Sequence, residues 1–192
     1  MSIYFTSDLH LRHKNILNFE NRPYNTVEEM NEDLINKWNK TVKKNDLVYH
    51  LGDFCFGGYD RWVEIIERLN GKIHMIKGNH DSLDTLKKLK KNGYIEEYYP
   101  VGHYMKINKQ VMHLTHYPLE LGNRPRLWSL SGHIHSTPSR MLNQINLGCD
   151  SPINLIQDKP FGTPVSLEEL TSYLASILPQ VEKAFLEERG QS

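Results

Sequence analysis

Five times in this 192-residue chain a short apolar run breaks off into a turn carrying aspartate, asparagine or histidine. Ile3 to Thr6 leads into Asp8 and His10, Leu47 to Leu51 into Gly52-Asp53, and Ile73 to Ile76 into Gly78-Asn79-His80-Asp81. Gln110 to Thr115 leads into His116, and Leu127 to Leu130 into Gly132-His133-Ile134-His135. One Gly-Asn-His-Asp turn is no more than a cluster of turn formers. Five such turns, each at the carboxyl end of a predicted strand, point to one site, because ligand sites gather there in open α/β sheets.

The segments between these runs read as helices. Val27, Met30, Leu34 and Trp38 recur at helical spacing behind a Thr26/Glu29 capping box, predicting a helix over 27–43. Asp60 is placed to cap a second helix, with Trp62, Ile65, Ile66 and Leu69 on one face, and a third is expected over 83–91. Strand alternating with helix implies parallel pairing in the first half. After Gly93 short β-like runs follow closely, so the second half is expected to be largely antiparallel. Ser166 and Glu169 open a last helix that Pro179 should end near Leu178, with a peripheral charged segment over 181–189 and fraying over 190–192.

Composition narrows the function classes. The 23 basic residues balance 23 acidic ones, so no overall field draws the protein to nucleic acid or an anionic membrane. No run approaches the roughly 18 apolar residues of a membrane span, and Met1-Ser2-Ile3-Tyr4 has no signal-peptide pattern, so a cytoplasmic protein is expected. Cys55 and Cys149 form no Cys-x-x-Cys pattern, which excludes a disulfide framework and a thiolate zinc domain. The length suits one domain over 1–192. Of ten histidines, His10, His80, His116, His133 and His135 fall in the motifs; His50 and His74, within strand runs, are read as structural, and His13, His103 and His113 belong to no motif.

The motif residues have the chemistry of two divalent metal sites. Asp8, His10, Asp53 and His135 suit one ion and Asp53, Asn79, His116 and His133 the other, with Asp53 bridging. Two dications bring more positive charge than two carboxylates, neutral imidazoles and an amide cancel, leaving a surplus for hydroxide and phosphate. Metal-activated hydroxide attacking a phosphate ester in line follows from that arrangement. His80, not needed as a ligand, is placed to protonate the leaving group, and Asp81 to orient it or to brace a ligand. Arg12, Arg124 and Arg126 lie a few residues from ligands and have the fork that grips phosphate oxygens. Mixed nitrogen and oxygen donors suit manganese first, with iron, zinc, nickel or magnesium as alternatives.

Asp8-x-His10, Gly52-Asp53, Gly78-Asn79-His80-Asp81, His116 and Gly132-His133-x-His135 resemble, in order and spacing, the motif series of the calcineurin-like metallophosphoesterase superfamily. Within it the chain looks most like the small uncapped phosphoesterases of bacteria and phages. The resemblance implies an α/β fold, a four-layer α/β/β/α sandwich of two mixed β-sheets flanked by helices, with a dinuclear site at one sheet edge and the ligand roles given above. It implies a metal-dependent hydrolase of a phosphodiester or a small nucleotide-type phosphate ester. The alternatives are a phosphomonoesterase or nuclease of the same fold, or a non-catalytic metal-dependent binding module. A nuclease should carry a basic stripe, and the one lysine cluster, Lys87 to Lys91, is remote in sequence from the ligands. The chain departs from many relatives after Asp53, where Phe54-Cys55-Phe56-Gly57-Gly58 replaces a charged loop. Beyond Leu147 no motif remains.

Overall fold

Each early strand is followed by a helix that carries the chain back to the starting end, the connection that parallel pairing requires. The computed structural model describes residues 1–190. In it β1 (Ile3–Thr6), β2 (Leu47–His50), β3 (Lys72–Ile76) and β4 (Glu97–Tyr99) run parallel in the order β4-β3-β2-β1. The helices are α1 (Ile16–Phe19), α2 (Val27–Thr41), α3 (Tyr59–Ile66) and α4 (Leu83–Lys91). The second sheet is β5 (Gly102–Ile107), β6 (Gln110–Thr115), β7 (Leu127–Ser131) and β8 (Gln144–Asn146) in sequence order. After α5 (Asn154–Gln157), β9 (Val165–Ser166) returns antiparallel to β1, and α6 (Leu167–Glu187) closes the described chain.

Two mixed sheets with flanking helices result, the expected α/β sandwich. Strand alternation sends Val48 to the helix side of the first sheet and Tyr49 to the opposite side. Val48, Ile73 and Met75 meet Met30, Trp38, Trp62 and Leu86 of the helices in one core. Phe5, Tyr49, Leu51 and Ile76 meet Met112, Leu114, Trp128 and Leu130 of the second sheet in the other.

Three expectations are corrected. In the second sheet only β5 and β6 are antiparallel; β6, β7 and β8 are parallel. The connections over 116–126 and 132–143 are long enough to carry the chain back, so His116 and His133 both emerge at the same sheet end. The second helix starts at Tyr59 behind Gly58, which gives it no side-chain cap, rather than behind Asp60. Helix α6 runs through Pro179 instead of stopping there. An interior proline costs about 3 kcal/mol, but Leu174 before it and Val181 after it are both buried in the inter-sheet core. Each such side chain returns roughly 1.5–3 kcal/mol, so packing outweighs the lost bond and Val181 is core, not periphery. Of the expected fraying segment, residues 191–192 lie outside the described residues.

Candidate metal centre

The loops after β1 and β2 stay hydrogen-bonded beyond the end of the sheet. Asp8 N donates to Gly52 O at 3.0 Å, His10 N to Asp53 O at 3.0 Å and Leu11 N to Phe54 O at 2.9 Å. In this stretch Asp8, His10 and Arg12 adopt left-handed backbone angles, with φ of 55°, 48° and 64°. Asp53 (57°), His133 (71°) and His135 (47°) do the same. Six of the nine non-glycine left-handed residues of the described chain therefore lie in these loops. Each costs on the order of 1 kcal/mol or more, so strain is concentrated where the motifs meet.

The motif glycines remove side chains that would occupy the centre. A Cβ on Gly78 would lie 2.1 Å from Asp53 Oδ1, and one on Gly132 2.1 Å from Asp8 Oδ2. These approaches let backbone amides grip the carboxylates. His80 N donates to Asp53 Oδ1 at 2.9 Å, and His133 N lies 3.1 and 3.0 Å from the two Asp8 oxygens.

The seven sequence-predicted ligands converge in two groups joined at Asp53. Asp53 Oδ2 is 3.6 Å from His10 Nε2 and 3.5 Å from His116 Nε2. On one side the rings of His10 and His135 stack at 5.1 Å, and Asp8, His10 and His135 bring donor atoms within 4.8 Å of one another. Asp8, Asp53 and His116 do likewise. On the other side the Asn79 amide oxygen lies 2.7 Å from His116 Nε2 and 2.9 Å from His133 Nδ1.

Donor chemistry tests whether metals fit. The Leu51 carbonyl, 2.9 Å from His116 Nδ1, can only accept, so Nδ1 carries the hydrogen and Nε2 of the neutral ring presents a lone pair. That lone pair faces the Asn79 and Asp53 oxygens, which are acceptors too. Such a meeting needs a cation among its members. His10 is 2 % exposed and neither of its ring nitrogens has a partner. Burial lowers its pKa to about 3, holding it neutral as a metal ligand must be. Burial pushes the Asp8 carboxyl up to about 6, the cost of a buried anion without a full counter-charge. The residues fit divalent metals.

The sequence profile of calcineurin-like phosphoesterases matches residues 1–169, spanning every one of these groups. The chain belongs to the calcineurin-like phosphoesterase family. An uncharacterized protein of Methanocaldococcus jannaschii is 43 % identical over 95 residues, 48 % of this chain and 54 % of that protein. The gene 66 protein of Mycobacterium phage L5 is 35 % identical over 81 residues, 41 % of this chain and 39 % of that one. The chain thus spans about half or less of the curated relatives it matches. A protein of unknown function from Aquifex aeolicus shares the fold, with a TM-score of 0.69 and 23 % identity over 90 % of this chain and 98 % of that one.

Within this calcineurin-like frame the expected substrate arginines point elsewhere. The Arg12 guanidinium pairs with Glu64, because its left-handed backbone is pinned by Asn31 Oδ1 accepting from Arg12 N at 2.9 Å. Arg124 stacks over Phe185 of α6, and exposed Arg126 precedes the amino end of β7, whereas His133 follows its carboxyl end. Asp81 makes no bond to the His80 ring. It accepts instead from Asp53 N and Gly78 N, both at 2.8 Å, and from Phe54 N at 3.2 Å.

Sequence reading missed the support behind His135. Asp150 Oδ2 lies 3.0 Å from His135 Nδ1, and buried Arg22 donates to both Asp150 oxygens, to Asp8 O at 2.6 Å and to Leu9 O at 2.7 Å. Asn146 Nδ2 donates to His135 O at 2.8 Å. The available signal was Asp150 just past a sixth strand end, that of buried β8. His13, which belongs to no motif, sits at the site mouth with its ring 5.4 Å from that of His10. Cys55 is buried, with its thiol pushed up to about 12 by burial, as suits an inert core cysteine.

Proposed function

We propose that the chain is a dinuclear metal-dependent phosphoesterase acting on a phosphodiester or a small nucleotide-type phosphate ester. The observation that carries the reading is the Asp53 carboxylate between His10 and His116, 3.6 and 3.5 Å from their Nε2 atoms, with the Asn79 amide oxygen 2.7 Å from His116 Nε2. Asp8, His10, Asp53 and His135 would hold one divalent metal, and Asp53, Asn79, His116 and His133 the other. Bound there, the metals supply an acidified water and a positive clamp for phosphate oxygens.

The chain's own residues do the rest. The backbone amides of His80 and His133 hold Asp53 and Asp8 in place, so the ligands are preorganised before anything binds. Asp150 accepts from His135 Nδ1 and so presents Nε2 to the site. His80 is exposed at the mouth, its ring 5.6 Å from that of His10, and can deliver a proton to a departing alkoxide. Formal neutrality favours a small ester over a long nucleic acid, and manganese is the metal of first choice.

The test is metal analysis of the purified chain, followed by a panel of phosphomonoesters, phosphodiesters and cyclic nucleotides assayed with each metal after chelation. Two metals per chain and metal-dependent hydrolysis are expected. A chain that binds metals tightly and hydrolyses no ester is a binding module instead.

A further inference from the structure

The apolar loop after Asp53, Phe54-Cys55-Phe56-Gly57-Gly58, has a use the metal centre does not absorb. Phe54 is fully buried in the helix-side core and Cys55 nearly so, but Phe56, next along, is 36 % exposed. The loop is fixed on both sides of that ring. Phe56 N donates to Leu11 O at 2.8 Å, and Gly57, at φ 113°, turns the chain away beyond it.

Phe56 lies flat on His13, with ring centroids 4.0 Å apart and planes 11° from parallel. Phe19, 68 % exposed, meets the His13 ring edge-on at 6.1 Å. The Phe56 ring is 5.6 Å from His80, which is itself 5.6 Å from His10. Large apolar rings in water are costly unless something covers them, and these rise beside the proposed proton donor. Arg12, one residue from His13, is engaged by Glu64 and adds no free charge to the shelf.

We propose that Phe56, backed by His13 and edged by Phe19, is a stacking shelf for a nucleobase, so that the substrate is a small nucleoside phosphate ester. This rests on the phosphoesterase reading and narrows it. A base laid on Phe56 stands beside His80, and its phosphate reaches the ligands across a ribose. Stacking on an exposed aromatic tolerates any base because every base has a π face. An aliphatic phosphodiester gains nothing from the shelf.

The test uses the manganese-loaded chain and compares Phe56→Ala, Phe56→Leu and Phe56→Tyr with the parent on a nucleoside 2′,3′-cyclic phosphate and on glycerophosphocholine, a diester without a ring. Calorimetry of adenosine 5′-monophosphate against inorganic phosphate is the second readout. Loss of the ring in the Ala and Leu variants should raise KM for the nucleotide about 5- to 100-fold at unchanged kcat, the usual worth of one stacked base. Glycerophosphocholine kinetics should not change, and Phe56→Tyr should keep the parent values. The parent should bind the adenosine nucleotide more tightly than phosphate, and Phe56→Leu should lose that preference.

Equal losses on both diesters, or no loss on the nucleotide, overturn the shelf. If the parent hydrolyses neither diester nor any ester of the wider panel, the phosphoesterase reading fails and calorimetry decides the shelf alone. A nucleotide preference that Phe56→Leu abolishes upholds it, and equal or absent binding of nucleotide and phosphate overturns it.

Discussion

The Asp81 carboxylate holds the Asp53 backbone, accepting from Asp53 N at 2.8 Å while also accepting from Gly78 N and Phe54 N. One buried side chain thereby ties the loop after β2 to the loop after β3. Asp81→Asn keeps the shape but turns an amide donor toward backbone donors. The expected loss is about 2–3 kcal/mol of stability, with weaker metal retention. Chemical denaturation and metal analysis check it; an unchanged midpoint with lower turnover would make Asp81 a direct partner of His80.

Asp53→Asn should cut metal occupancy and activity together, since Asp53 Oδ2 lies between His10 Nε2 and His116 Nε2, at 3.6 and 3.5 Å. Elemental analysis after gel filtration is the measurement. Two retained metals with near-parental turnover would rule out a bridge at this position.

Arg22→Gln should destabilise the chain by about 3–5 kcal/mol, the usual effect of breaking a buried charge pair from one side. Its guanidinium is buried against Asp150 and the Asp8 and Leu9 carbonyls, so the variant leaves a carboxylate and two carbonyls short of donors. The companion variant Arg124→Ala, on the Phe185 face of α6, should leave KM and kcat unchanged. A raised KM there would return Arg124 to the substrate site.

The convergence of Asp8, His10, Asp53, Asn79, His116, His133 and His135 was legible because each follows an apolar run, and strand ends converge by the geometry of the sheet. What sequence could not carry was direction beyond the strand. Arg12 sits two residues from His10, yet its left-handed backbone turns the guanidinium toward Glu64. Arg22 and Asp150 are 128 positions apart, and nothing local marks them as a pair. Pro179 carries a strong local stop that long-range burial of Leu174 and Val181 overrides. Parallel pairing of β6 with β7 was hidden because short β-like runs look alike whichever way they run.

Metal affinity should fall as pH drops through neutrality, with protons released on binding. Burial lowers His116 and His135, but Asp53 and Asp8 beside the first and Asp150 beside the second outweigh it, so both are raised in the metal-free chain. Asp8 titrates at about 6 and His10 at about 3. A metal must displace protons from raised groups, so affinity is full above their pKa values and is lost below them, about tenfold per pH unit per proton. Near pH 6 the released protons come from His116, His135 and Asp8, and not from His10. Calorimetry in buffers of different ionisation heat counts them; binding without proton release would show that these groups do not hold the metal.

His80→Asn separates the proposed proton donor from the ligands around it. His80 N donates to Asp53 Oδ1, and an asparagine backbone can make the same bond, so both metals should stay bound. The imidazole is exposed at the mouth and hydrogen-bonded to no other side chain among the described residues. Its loss therefore removes chemistry without breaking a side-chain hydrogen bond. For an ester with a poor alkoxide leaving group turnover should fall on the order of 10² to 10⁴, the usual worth of general-acid catalysis. A nitrophenolate ester needs little protonation as it departs, so an acid role predicts a much smaller loss there. Similar losses on both esters would mean that His80 steadies phosphoryl oxygens instead, and loss of a metal would make it a ligand.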